Sequence, residues 1–172
     1  MKHQSPDLQS SGKPFIRSPV TLVAAVLLCN LAGILGSFVT ITGEGSWYAT
    51  IQKPPFNPPG FLFAPVWTLL FILMGISLYL VWMEGASRKE VRIALVAFGV
   101  QLVLNVLWSF LFFGLQSPFL GFIEILILWM SIAITIFLFY RVQQTAAFLL
   151  IPYLAWVSFA TLLTYTVWIL NG

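Results

Sequence analysis

The sequence predicts an all-α integral membrane protein, a five-transmembrane-helix bundle with a proline- and aromatic-rich loop capping a ligand pocket. Three features lead there. First, the chain of 172 residues is 60% hydrophobic and only 8% charged, with a mean hydropathy of +0.98. A soluble domain of this size cannot hide so much apolar surface. Second, the apolar residues fall into five runs, each near the roughly 20 residues needed to cross a bilayer core. Third, the first two runs are joined by Trp47-Tyr48, then Lys53-Pro54-Pro55-Phe56-Asn57-Pro58-Pro59-Gly60, with Trp67 beyond. Proline lacks a backbone donor and clashes one turn back, so this stretch continues neither helix. It is too rich in rings for a solvated linker and suits an ordered cap over the mouth of the bundle.

Residues 1–18, rich in Ser, Pro, Gln and Lys, read as a disordered polar tail ahead of one membrane domain over 19–172. The first span, about Val20–Ile41, is longer than the apolar core of a signal peptide. No small-x-small cleavage site follows it, so it is expected to be retained. Within it Ala25, Cys29 and Gly33 recur every four residues, as do Ala32 and Gly36. That spacing permits close helix approach, within one chain or in a dimer. The remaining spans run about Phe63–Met83, Ile93–Gly114, Phe119–Tyr140 and Ala146–Leu170. Open backbone is intolerable in lipid, which makes these spans helices. The period-two alternation of a barrel is absent, and an odd number of spans without internal repeat argues against an inverted duplication. Pro152 is expected to free the Phe148 carbonyl and kink the fifth helix.

Five spans place every Lys and Arg except Lys53 on the side of the N-terminus. The positive-inside rule then predicts a multi-pass plasma (inner) membrane protein with a cytoplasmic N-terminus, and with the Trp47–Phe61 loop and C-terminus outside. Scattered at span ends, these cations are not a nucleic-acid-binding face. His3 is the only histidine and Cys29 the only cysteine, so no protein-built zinc or haem-ligand set is available. Cys29 likewise has no intrachain disulfide partner.

Polar residues inside spans are costly and therefore informative. Gln101, Asn105, Trp108, Ser109 and Phe112 share one stripe of the third span. Two compatible readings stand: hydrogen bonding between helices, or the lining of a cavity in which amides orient a ligand between rings. Glu124, in the fourth span, has no basic partner at its depth. It reads either as a neutral carboxyl bonded to Gln101, Asn105 or a tyrosine, or as a proton-coupled transport site. In the fifth span Trp156, Ala160 and Leu163 or Thr164 share a face, where a small Ala160 leaves room for a flat ring. Trp47, Trp82 and Trp168 fall near interfaces, where tryptophan is enriched in any case.

These motifs in this order resemble the TspO/translocator protein family, the tryptophan-rich sensory proteins or peripheral-type benzodiazepine receptors. The matching residues are Trp47-Tyr48, Lys53-Pro54, Pro58-Pro59-Gly60 and Trp67. They continue with Gln101-x-x-x-Asn105-x-x-Trp108-Ser109, Phe112-Phe113-Gly114, Pro152-Tyr153-x-x-Trp156, Phe159-Ala160 and Asn171. The resemblance covers about residues 20–172. It implies a homodimeric five-helix bundle binding porphyrins and other hydrophobic small molecules, including benzodiazepine-site ligands, with no required cofactor and a porphyrin as ligand or substrate. Carried over by motif, the ligand-binding residues would be Tyr48, Pro58, Trp67, Phe71, Asn105, Trp108, Ser109, Trp156, Ala160 and Leu163, with Glu124 where relatives often carry an acid. The family's cholesterol motif is incomplete, because Tyr165-Thr166-Val167-Trp168 is followed by Ile169 in place of a basic residue.

Three functions follow as expectations. The first is a membrane receptor, sensor or carrier for porphyrins, with Trp67, Phe71, Trp108 and Trp156 offering ring faces and Asn105 and Ser109 bonding a polar edge. Lys53 would either pair with a ligand carboxylate or snorkel to the interface. The second is a light-dependent porphyrin-degrading enzyme with Trp67 and Trp156 as candidate electron donors, although the chain shows no acid–base pair, nucleophile or metal set. The third is a proton-coupled exporter using Glu124.

Overall fold

The computed structural model describes residues 18–172. The polar tail before them, with His3, Lys2, Lys13 and Arg17, lies outside the described residues. Helix accounts for every regular element among those described: α1 Pro19–Ser37, α2 Trp47–Thr50, α3 Phe63–Trp82, α4 Lys89–Ser109, α5 Pro118–Val142, α6 Gln144–Leu149 and α7 Ile151–Asn171. Five stretches are long and apolar enough to span a membrane: Pro19–Ser37, Gly60–Trp82, Lys89–Gly114, Pro118–Val142 and Gln144–Asn171.

The helix ends follow local chemistry. Ser18 caps α1, its Oγ accepting from Thr21 N at 3.3 Å with Pro19 in the first turn, and Ser117 with Pro118 repeats the device on α5. The first helix stops at Ser37, short of the expected Ile41. The four β-branched residues Val39, Thr40, Ile41 and Thr42 follow, a run that disfavours helix, and the Thr40 hydroxyl takes the Gly36 carbonyl at 2.9 Å.

Two spans are less regular than their sequence suggests. The end of the third span, Phe110–Gly114, is a π-turn rather than α-helix, with Leu115 N donating to Phe110 O at 2.8 Å. The widened turn drives Phe112 against Gly121 of α5, where a Cβ would sit 2.7 Å from its ring. The fifth span is interrupted at Leu150, between α6 and α7. Leu150 N turns to the carbonyls of Ala147 and Phe148, so the Phe148 carbonyl is not left free. Pro152 then sits in the first turn of α7, where a missing N–H costs nothing.

The spans close into a ring: α1 packs on α3 and α4, α4 on α5, α5 on α7, and α3 on α6 and α7. Small residues allow the closest approaches. Gly75 of α3 lies on the Val26 backbone and Gly36 of α1 on Ser109 of α4, so the small-residue spacing of α1 serves contacts within one chain. At the end distant from the α1–α3 connector the interior is solid. Met74, Tyr79, Phe98, Ile132, Phe139 and Leu150 are all buried there, with Phe98 and Phe139 stacked at 5.7 Å. Arg88, Lys89, Arg92 and Arg141 lie at or beside helix ends at this end of the bundle, and Lys53 lies at the other. Toward the connector the bundle is hollow.

A covered cavity in the connector half

The hollow half holds a cavity of about 650 Å³, within the span of roughly 300–1,000 Å³ usual for small-molecule sites. Small residues of α1 and α7 help to open it. Ala32, Gly33 and Gly36 form one wall and Ala160 the opposite one. On α3, Phe63, Trp67 and Phe71 follow at four-residue intervals and share a face. Trp67 stacks on Phe71 at 5.5 Å and meets Tyr153 edge-on at 6.3 Å, while Phe63 meets Trp156 edge-on at 6.0 Å. On α4, Asn105, Trp108 and Ser109 front the space, and the π-turn adds Phe112 and Phe113. Trp108 lies parallel to Phe112 at 5.1 Å.

The connector is an ordered roof. Its helix α2 is capped by Ser46, whose Oγ accepts from Ala49 N at 3.2 Å. Tyr48 Oη donates to Asn57 Oδ1 at 3.0 Å. Burial holds this phenol above its ordinary pKa, the hydrogen bond offsetting only part of the rise. Lys53 Nζ donates to the carbonyls of Ile51 and Ala49 at 3.2 and 3.4 Å and sits 4.8 Å above the Tyr48 ring centre. Two of its three hydrogens are thereby used within the roof. Among the described residues lining the cavity, Lys53 is the one charged side chain.

The structure brings Tyr48, Pro58, Trp67, Phe71, Asn105, Trp108, Ser109, Trp156, Ala160 and Leu163 together around this one space. Glu124 is not among them. It is buried on α5, and neither carboxyl oxygen has a hydrogen-bond partner among the described residues. The expected bond to Gln101, Asn105 or a tyrosine is absent. Gln101 is itself buried without partners, and Asn105 Nδ2 donates instead to Tyr153 Oη at 3.0 Å. That bond fixes the Asn105 amide at the cavity wall. The Trp108 indole N–H is also buried without a partner, a donor belonging to a ring that lines the cavity.

Sequence reasoning passed over several lining residues, including Asn30, Phe63, Phe113 and Val167. Helical spacing could have found two of them, since Phe63 precedes Trp67 and Val167 follows Leu163 by one turn. Asn30 gives no such cue. No group of His, Cys, Asp or Glu suited to a metal ion occurs among the described residues.

A sequence profile of the TspO/MBR family matches residues 25–169. The tryptophan-rich protein TspO of Chlorobaculum tepidum is 45% identical over 152 residues, covering 88% of this chain and 96% of the relative. A protein of the same name from Archaeoglobus fulgidus is 43% identical over 151 residues, covering 88% and 97%. The translocator protein of Bos taurus is 40% identical over 151 residues, covering 87% and 89%.

Proposed function

The chain belongs to the TspO/MBR family, and on that premise we propose that it is a membrane receptor or carrier for porphyrins and related flat hydrophobic ligands. The observation carrying this reading is the covered cavity itself, with rings on several walls and one cation in its roof. A tetrapyrrole is a flat apolar disc with carboxylate arms. Trp67 and Phe71 on one side and Trp108 on another would take its faces and edges by offset and edge-on contacts. Asn105, Ser109 and the unpaired Trp108 N–H would meet polar atoms at its rim, where an unsatisfied buried donor gains most from a partner. Lys53, with one hydrogen left over, would pair with a carboxylate at the mouth. No resident cofactor is needed.

The membrane setting fits the same account. Arg88, Lys89, Arg92 and Arg141 lie at the end opposite the roof, which supports a cytoplasmic placement of that end and an outer placement of the cap. A homodimer belongs to this proposal as well.

A second reading, light-dependent degradation of the bound pigment, is favoured by one observation: Trp67 and Trp156 both line the cavity, within electron-donating reach of any ligand there. The exporter reading has no such support, because Glu124 stands outside the lining. Titration of the purified protein with protoporphyrin in the dark, followed by tryptophan quenching, separates these. Saturable binding with no light-driven loss beyond that of free pigment establishes a receptor or carrier. Rapid loss in light that disappears in Trp67→Phe or Trp156→Phe makes the protein a pigment-degrading enzyme.

A further inference from the structure

Rings hold the cap at both of its ends. Trp47 meets Phe112 edge-on at 5.7 Å, Tyr48 meets Phe113 at 5.4 Å, and Phe56 meets Phe159 of α7 at 6.5 Å. Between these apolar ties lies a polar one. Gln52 N donates to Asn171 Oδ1 at 2.8 Å, and Asn171 Nδ2 donates to Gln52 O at 2.9 Å. The second Nδ2 hydrogen goes to Val167 O at 2.8 Å, within α7. The carboxamide at the end of the last helix thus pairs with the cap backbone as a neighbouring strand would, with both amide hydrogens in use. It joins residues 119 positions apart.

The site of this pairing matters. Gln52 directly precedes Lys53, whose side chain forms part of the cavity roof. On either side of the cap stand Gly43, Gly45 and Gly60, each in open space, Gly45 with φ +80°. Gly45 occupies the left-handed region that side chains rarely adopt, and the open surroundings of all three leave both flanks free to hinge. Ring contacts are weakly directional and tolerate sliding. A reciprocal hydrogen-bonded pair has one good geometry and is made or broken as a unit.

We propose that Asn171 is the latch of the cap: its carboxamide holds the roof shut over the cavity, and its release sets the rate at which ligands pass. The ligand arm of this inference rests on the binding reading above, whereas the closure arm does not. Only main-chain atoms of Gln52 take part, so the identity of its side chain is immaterial to the latch. Asn171→Ala removes both bonds to the cap along with the one to Val167 O. Asn171→Asp keeps an acceptor for Gln52 N but sets a carboxylate oxygen against Gln52 O.

The test compares wild type, Gln52→Ala, Asn171→Ala and Asn171→Asp in lipid nanodiscs. Hydrogen exchange is first followed without ligand. Two solvent-facing hydrogen bonds at the low end of their usual worth predict exchange over residues 47–53 about five- to tenfold faster in Asn171→Ala. Asn171→Asp falls between, Gln52→Ala matches wild type, and α3 to α5 are unchanged in all. Stopped-flow mixing with protoporphyrin gives the second arm. Loss of a gate raises association and dissociation rates together and leaves Kd within about twofold. Unchanged cap exchange in Asn171→Ala overturns the latch. So does faster dissociation with unaltered association, which would make Asn171 a residue that merely shapes ligand contacts. A wild type that binds no protoporphyrin counts against the proposed ligand, and the exchange arm then decides the latch by itself.

Discussion

Replacing Tyr153 by Phe separates what holds the cavity wall from what holds a ligand. Tyr153 is fully buried, and its hydroxyl accepts from Asn105 Nδ2 at 3.0 Å. Phenylalanine keeps the ring and its edge contact with Trp67 but strands the Asn105 donor. Leaving a buried donor unpartnered costs about 1–3 kcal/mol. Hydrogen bonds between helices in membranes average only about 0.6 kcal/mol and reach about 1.7, because alternatives are found in the unfolded state. Asn105 borders the cavity, so its freed amide can turn into that space instead of remaining stranded. The lower range therefore applies, and a loss near 1 kcal/mol, about fivefold in the folding equilibrium, is expected. Reversible unfolding in mixed micelles, followed by tryptophan emission, measures it. Porphyrin affinity, titrated in the same preparation, should hold or rise, since the amide gains a free hydrogen for a ligand acceptor. Unaltered stability together with a tenfold loss of affinity would refute this reasoning and assign the tyrosine hydroxyl to the ligand itself.

Two further substitutions test the roof and the buried acid. Lys53→Gln should weaken binding of a dicarboxylate porphyrin about two- to fivefold, as expected for a partly exposed ion pair, and should leave its dimethyl ester unaffected; calorimetry on both ligands reads the difference. Glu124→Gln should leave dark porphyrin affinity within about twofold, because the carboxyl is no part of the lining and the amide conserves its shape. Flux assays on proteoliposomes complete that test: a pH-dependent porphyrin flux abolished by this substitution would revive the exporter.

The fold was legible where lipid physics leaves one solution. Hydropathy located five spans because a bilayer tolerates no unpaired backbone, and the proline-dense connector announced a cap. Span ends were harder. Val39 to Thr42 are apolar enough to extend a span on hydropathy, yet their branching ends α1 at Ser37. The π-turn at Phe110–Gly114 brings Phe112 onto Gly121 of another helix, and a single-helix pattern carries no trace of that contact. The interruption at Leu150 precedes Pro152 by two residues because proline is at ease in a first turn.

The candidate site was legible in a similar measure. Trp156 with Ala160 declared a shared face through four-residue spacing, whereas Phe71 beside Trp67 came only with the family resemblance. Asn105, Trp108 and Ser109 stood out as polar or amphipathic groups in a span. Neither the Asn105–Tyr153 bond nor the Asn171–Gln52 pair was visible, since each joins distant segments whose approach only packing decides. Glu124 stands apart from these. A lone acid in a span is a strong signal of polarity, but Glu124 is buried without lining the cavity.

The central claim, that the covered cavity between α1, α3, α4 and α7 is where a flat hydrophobic ligand binds, is tested most directly by filling it. Ala160→Phe sets a ring beside Trp156, where the wild-type wall is a single methyl group. Protoporphyrin is titrated in the dark against wild type and this variant, with tryptophan quenching as readout and unfolding of the free proteins as control. The account predicts saturable binding to wild type and an affinity about five- to 150-fold lower in the variant, the cost of overfilling a packed site being about 1–3 kcal/mol. Equal affinity in a variant that folds as stably as wild type would contradict it and move the ligand to another surface.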